Sequence, residues 1–87
     1  MMKADKYVLL IAEQLKTAVL NSQVESIILG AIANIEQKEG ADLISPVLTK
    51  LLAWLENLSP LDWNSTQWGC LRYASIYLRK YSKMELV

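Results

Sequence analysis

The apolar positions of this chain recur at helical spacing, most strongly in the segment SPVLTKLLAWLENL over residues 45–58. At about 100° per residue its apolar side chains fall on one arc of roughly 160°, and the polar ones fill the opposite side. Ser45 is a good N-cap, and Pro46 suits the first helical position. We therefore predict a helix over 46–58. Its broad apolar face is typical of the central member of a small bundle.

Two amphipathic segments precede this helix. The first covers residues 5–20, and Asp5 stands where it can cap the helix start. Ser22 and Glu25 then have the spacing of a capping box, in which hydroxyl and carboxylate satisfy two free backbone N–H groups. These signals predict a second helix over 23–38.

Two glycines mark special positions in and after the second helix. Gly30 lies in its middle, where glycine costs about 1 kcal/mol relative to alanine, so we expect a neighbouring helix to approach closely there. Gly40 follows the last apolar position and predicts the C-terminal stop.

The connector after the central helix contains two overlapping start signals. Ser59 and Pro60 open a short turn, whereas Asn64 and Gln67 repeat the capping-box spacing. We predict one helical turn that redirects the chain, followed by a last helix over 65–82.

Two pairs of large side chains do not follow the simple amphipathic pattern. Trp63 and Trp68 flank the second capping box at hydrophobic-staple spacing, so we expect them to pin this corner by packing rather than to bind a ligand. Leu9 and Leu10 point to the polar side of the first helix. We expect a neighbouring chain terminus to cover them, and the alternative is a binding patch.

These elements predict an all-α fold, a compact four-helix bundle with a short extra helical turn before the last helix. Residues 1–87 form a single helical domain in this interpretation, because so short a chain supports only one core. The hydrophobic fraction of 53% disfavours a disordered chain. A domain of this size has limited core area, which favours a protein partner or homo-oligomer as additional support.

The charge and the single cysteine limit the compartment and the partners. Nine basic and nine acidic side chains give no net charge, which disfavours nucleic acid as a partner. No apolar run is long enough to span a membrane. Cys70 is the only cysteine, so no internal disulfide is possible, and a cytoplasmic location is the default expectation.

Residues with catalytic chemistry are scarce. The chain has no histidine, and Cys70 lies on the apolar side of its predicted helix, which is typical of a buried structural thiol. The carboxylates lack the spacing of a bundle metal site, and the three glycines are too scattered for a phosphate loop. We therefore expect no enzyme activity, no cofactor and no metal.

The last helix carries the strongest functional signal. Its apolar and aromatic arc spans roughly 220°, which is more than one bundle seam covers. Tyrosine and arginine are the residue types most useful at an interface. We expect a protein–protein interaction module, either an adaptor or a subunit, that binds through an aromatic and basic face of this helix. In the alternative interpretation, the tyrosines only line the edge of the core. The predicted partner-binding residues are Arg72, Tyr73, Tyr77, Arg79, Lys80 and Tyr81.

Two general resemblances accompany this interpretation. In length, helix count and basic last helix the chain is a little like small four-helix immunity proteins, and the segment 40–58 is a little like death-fold adaptor domains. The first resemblance implies an immunity-type or antitoxin-type inhibitor of one dedicated protein target. The second implies an adaptor, although we predict four main helices where a death fold has six. We assign the chain to no family from its sequence.

Overall fold

The computed structural model describes the backbone of residues 3–86 and the side chains of residues 3–81. These residues form four α-helices and two short 3-10 turns, and no strand occurs among them. The predicted all-α four-helix bundle with an extra turn before the last helix is confirmed. The helices are α1 (Lys3–Leu15), α2 (Asn21–Glu39), α3 (Ile44–Glu56) and α4 (Ser65–Leu86), and the turns are Ala41–Leu43 and Pro60–Asp62.

The helix α3 is central, as its broad apolar face predicts. It packs against α1 on one side and α4 on the other, whereas α2 contacts mainly α1 and α4. Val47 and Leu51 of α3 are completely buried, and Leu55 is nearly so. The core is built from the inward faces of all four helices, and its aliphatic members include Ile11, Leu15, Val24, Ile28, Ile35, Val47, Leu51, Leu55, Leu71 and Leu78.

The first helix is shorter than predicted and starts differently. It ends at Leu15 rather than near residue 20, because the chain tightens into i→i+3 hydrogen bonds over residues 14–18. Asp5 lies inside the first turn of α1 instead of capping it. The Asp5 carboxylate lies 2.8 Å from Nζ of Lys50, so this side chain links α1 to α3.

The start of α2 uses a different side chain from the one predicted. Oε1 of Gln23 accepts hydrogen bonds from the backbone N–H groups of Val19 and Leu20, at 2.8 and 3.1 Å. The helix therefore begins at Asn21, two residues earlier than expected. The predicted box of Ser22 and Glu25 is wrong, because a glutamine at the third helical position satisfies the free N–H groups.

The predicted cap of α3 is also wrong. The turn Ala41–Leu43 leads directly into the helix, which begins at Ile44, so Ser45 is an exposed residue of the first turn and does not cap it. Pro46 is tolerated at the third position because the first four N–H groups of a helix have no intrahelical partner.

The connector before α4 matches its predicted chemistry. Oγ of Ser59 accepts from the N–H of Leu61 at 3.3 Å, which supports the short turn. Oδ1 of Asn64 accepts from the N–H of Gln67 at 2.8 Å, and Oε1 of Gln67 accepts from the N–H of Asn64 at 3.3 Å. This reciprocal capping box fixes the start of α4 at Ser65.

The two glycines of the α2 region differ in outcome. Gly40 follows α2 with a φ of 91°, a conformation that glycine adopts without steric strain, and its N–H donates to the carbonyl of Glu36. Gly30 is exposed, and a Cβ atom added there would have no heavy atom within 4 Å beyond its own helix backbone. The expected close approach of a neighbouring helix at Gly30 is therefore wrong within this chain.

Leu9 and Leu10 remain accessible on α1. Their exposed fractions are 54% and 51%, so the expectation that a chain terminus covers them is wrong. None of the helices over residues 3–86 combines the length and apolar character needed to cross a lipid bilayer.

Replacement of Leu55 by alanine should destabilise the protein strongly. Leu55 is 6% exposed, and removing its buried carbons costs about 2–5 kcal/mol of unfolding free energy. The matched control is Leu61→Ala, since Leu61 is 93% exposed and its truncation removes almost no packing. Urea unfolding followed by circular dichroism measures both, and equal stability of the two variants would contradict the central role of α3.

Replacement of Gly30 by alanine should stabilise the isolated chain. Alanine is favoured over glycine in a helix interior by about 1 kcal/mol, and the open space around Gly30 accepts the added methyl group. The unfolding free energy should rise by about this amount in dilute solution. A decrease would show that the site is more crowded than the structure indicates.

Candidate interaction surface on the last helix

The buried side of α4 is held in the core by small and aliphatic side chains. Cys70, Leu71, Ala74 and Leu78 are each 4% exposed or less. The predicted burial of Cys70 is confirmed. With this side fixed inward, the helix turns its tyrosines and basic residues toward its flanks and its outer face.

The flank of α4 that faces α2 carries the tyrosine edge, which we define as Tyr73, Tyr77 and Tyr81. All three side chains are half-buried and pack against the core. The rings of Tyr73 and Tyr77 stack with centroids 6.3 Å apart and planes inclined by 23°. Stacked aromatic pairs contribute stability beyond the area that they bury.

A hydrogen bond ties the tyrosine edge to α2. The hydroxyl of Tyr73 donates to a carboxylate oxygen of Glu25. The pKa of Tyr73 is raised above its ordinary value of 10.0, mainly because this bond stabilises the protonated phenol, with burial and the charge of Glu25 adding to the shift. Glu25 therefore fastens α4 to α2, in place of the capping role that its spacing predicts.

The flank of α4 that faces α3 borders a groove. The α3–α4 groove has a volume of about 300 Å³, and its lining combines apolar side chains with three charged ones: Leu58, Trp68 and Leu71 with Glu56, Arg72 and Arg79. Apolar and charged side chains together are the usual lining of a site that receives an apolar anchor within a polar contact.

One of the two arginines at this groove is paired within the chain. The guanidinium group of Arg79 forms an ion pair with the carboxylate of Glu56 on α3. Arg72 is exposed, and no ion-pair partner for it occurs among the side chains of residues 3–81. Arg72 is thus the arginine whose charge remains available at this groove.

Between the two flanks lies an outward strip, which we define as Arg72, Ile76 and Lys80. Spacing of four residues places these side chains along one line on the helix. All three are exposed, and Ile76 exposes 42% of its surface. Like Arg72, Lys80 has no ion-pair partner in the part of the chain whose side chains are described. The strip therefore presents an apolar side chain between two unpaired positive charges.

The six predicted residues lie on three neighbouring strips of α4, and Arg72 of the outward strip also borders the α3–α4 groove. The tyrosine edge lies toward α2, Arg79 lies toward α3, and Arg72 and Lys80 lie on the outward strip between them. Ile76 and the α3–α4 groove were not predicted as functional features. The signal for Ile76 is its position among polar residues on the helical wheel, but the groove depends on how α3 and α4 pack.

The two tryptophans are half-buried at the corner before α4. Nζ of Lys16 lies 5.9 Å from a Trp63 ring centroid, and Nε2 of Gln67 donates to the carbonyl of Lys16 at 3.4 Å. The indole nitrogen of Trp63 is buried without a hydrogen-bond partner among the described residues. Trp68 instead contributes to the α3–α4 groove.

Among the described residues, no three His, Cys, Asp or Glu side chains come together in a group that could hold a metal ion.

Comparison of the chain with protein-family models, with curated protein sequences and with solved structures gives no significant match.

The pKa of Tyr73 should respond specifically to Glu25. Because the folded-state pKa is raised, the stability from this bond is complete below pH 10 and is lost as pH rises through the folded-state value. Tyrosine labelled with ¹³C at Cζ allows each ring to be titrated by NMR. Glu25→Gln should lower the pKa of Tyr73 toward 10.0, whereas Glu36→Gln, on the same helix, should not. Equal titration of Tyr73 in both variants would contradict the bond.

Proposed function

We propose that this chain is a small, non-catalytic protein-interaction module that binds an acidic surface of a partner protein through the outward side of α4. The observation that carries the proposal is the outward strip, in which exposed Ile76 lies between the unpaired charges of Arg72 and Lys80. We place the module in the cytoplasm, since its one thiol is free and buried.

The charge of α4 supports an acidic partner. Over residues 65–81 the helix contains two arginines and one lysine, Arg72, Arg79 and Lys80, and no aspartate or glutamate. Opposite charges across an interface speed encounter and select orientation, and an exposed arginine can bind a carboxylate through two parallel hydrogen bonds. An acidic protein surface is the complement of this pattern.

The two flanks of α4 support a contact that extends beyond the strip. On the α3 side, the groove offers apolar side chains beside Arg72. On the α2 side, the tyrosine edge is already held by the Glu25 bond and by ring stacking, so little side-chain entropy is lost when a partner binds there. Anchoring residues at interfaces are commonly tyrosine and arginine.

The same charges are too few to favour nucleic acid. Arg79 is already paired with Glu56, which leaves Arg72 and Lys80 as the unpaired basic groups on the outer side of α4 among the described side chains. Nucleic-acid affinity depends on neutralising many phosphates, and the chain as a whole has no net charge. A protein surface, on which apolar contact by Ile76 also contributes, fits this composition better.

Reversal of the two unpaired charges should remove binding. In Arg72→Glu combined with Lys80→Glu, the strip becomes acidic and repels the proposed partner. Immobilised wild-type and variant chains would capture proteins from the cells that naturally make this protein, with quantitative mass spectrometry as the readout. Partners of the wild type should be depleted at least about tenfold on the variant, which corresponds to about 1.4 kcal/mol.

The matched control is Lys6→Glu combined with Lys38→Glu, which changes the net charge equally at exposed positions of α1 and α2. This control should retain the partners. Circular dichroism should show equal helix content in all three chains. If the Arg72 and Lys80 variant captures the same proteins as the wild type in equal amounts, the outward strip has no binding role.

A purified partner that is a dedicated toxin or enzyme would favour the inhibitor alternative over an adaptor.

A further inference from the structure

A second surface lies on the opposite side of α2, along its seam with α1. The two helices run antiparallel, because the Lys3–Glu39 ion pair at 3.1 Å joins the start of α1 to the end of α2. Ala18 and Ser22 line one cavity near the other end of the seam. The hydroxyl of Tyr7 also donates to Glu39 at 3.1 Å, and the bonds from Lys3 and Tyr7 lower the pKa of this carboxyl. We call the outward side of this seam the α1–α2 face.

The cavities along the α1–α2 face have an uncharged lining, and the Lys3–Glu39 ion pair lies at one end of the seam. Two adjoining cavities of about 380 and 420 Å³ follow the seam and share Ser26 and Ile27 in their walls. Their lining includes Leu10, Gln14 and Asn34, and none of the lining residues is Asp, Glu, Lys or Arg. The α3–α4 groove differs in this respect, because Glu56, Arg72 and Arg79 lie along it.

Large apolar side chains remain accessible along the same seam. Leu10 of α1 is 51% exposed, and Val19 and Leu20, in the connection between α1 and α2, are each 58% exposed. Leu10 itself lines one of the cavities, and exposed apolar residues that form a patch are typical of a surface that another molecule covers. Uncharged amide and hydroxyl groups among them supply both hydrogen-bond donors and acceptors.

We propose that the α1–α2 face binds the same face of a second copy of this chain. In a two-fold symmetric contact each surface meets itself, so any charged residue near the axis is brought close to a like charge. A contact centred on the uncharged lining avoids this repulsion, because the Lys3–Glu39 pair lies at the end of the seam. Donors and acceptors of Gln14, Ser26 and Asn34 can pair in both directions. The absence of net charge on the chain also removes long-range repulsion between copies.

The face is also large enough for a stable contact. The nineteen residues of α2 extend about 28 Å, and two adjacent helices are about 20 Å wide, which gives a footprint on the order of 500 Å². Accessible surface over a corrugated footprint exceeds its flat area, which brings the estimate to about 600 Å² per partner, the lower end of specific interfaces. A dimer of this size would bury about a tenth of the 5691 Å² accessible surface of one chain.

Gly30 acquires a role in this contact that it lacks inside the single chain. It lies in the wall of the larger cavity, one turn from Ser26, and nothing within the chain occupies the space beside it. A residue without a side chain allows the backbone of a partner helix to approach closely. The helix-stability cost of glycine at this position is then offset in the dimer.

Sedimentation velocity over a wide concentration range, in reducing buffer, tests the proposal. The wild type should shift with concentration from the 9.9 kDa chain toward twice that mass. Gly30→Lys places a long charged side chain at the centre of the face and should weaken the dimer at least about tenfold. The control Gly69→Lys makes the same change at another exposed helical glycine, on α4, and should dimerise like the wild type.

A second measurement locates the contact without any substitution. In a dilution series of ¹⁵N NMR spectra, amide shifts should change along residues 7–14 and 22–34 and stay constant along residues 69–80. A wild type that is monomeric at millimolar concentration, a folded Gly30→Lys variant that dimerises normally, or shifts confined to α4 would each overturn the proposal. The Arg72→Glu and Lys80→Glu variant should still dimerise, so failure of the α4 proposal is measured separately.

Discussion

The burial of α3 between α1 and α4 is the constraint on which the rest of the structure depends. Its apolar arc is too broad for one neighbour, and burying such surface is the main favourable contribution to folding. Because α3 takes two neighbours, α2 is displaced to the far side of the bundle, where it contacts α1 and α4 more than α3. The α1–α2 face and the α4 flanks both follow from that displacement.

The helical pattern of the core could be predicted from the sequence because burial acts at every turn of a helix. Leu51 and Leu55 repeat at helical spacing, and both are buried. The capping box of Asn64 and Gln67 was equally readable, since its two hydrogen bonds lie within four residues of each other. Local chemistry of this kind needs no knowledge of the tertiary structure.

Helix caps could not be predicted in the same way where a distant residue binds the capping side chain. Glu25 has capping-box spacing but accepts a hydrogen bond from Tyr73, forty-eight residues away. Asp5 has an N-cap position in the sequence but pairs with Lys50. The sequence also indicated that the six candidate residues share one arc of the last helix. It did not indicate which of them lie toward α2, toward α3 or on the outward strip, because this depends on where the neighbouring helices pack.

The sequence separation of the helices that contact each other also bears on how the chain folds. The Asp5–Lys50 pair joins residues forty-five positions apart, and the main partner of α1 is α3 rather than its hairpin neighbour α2. Contacts between distant segments form only after the intervening chain is available, and they slow folding. During synthesis, the apolar side of α1 therefore remains without its principal partner until α3 has emerged. Most contacts of α1 with other helices can therefore form only once the third helix is present.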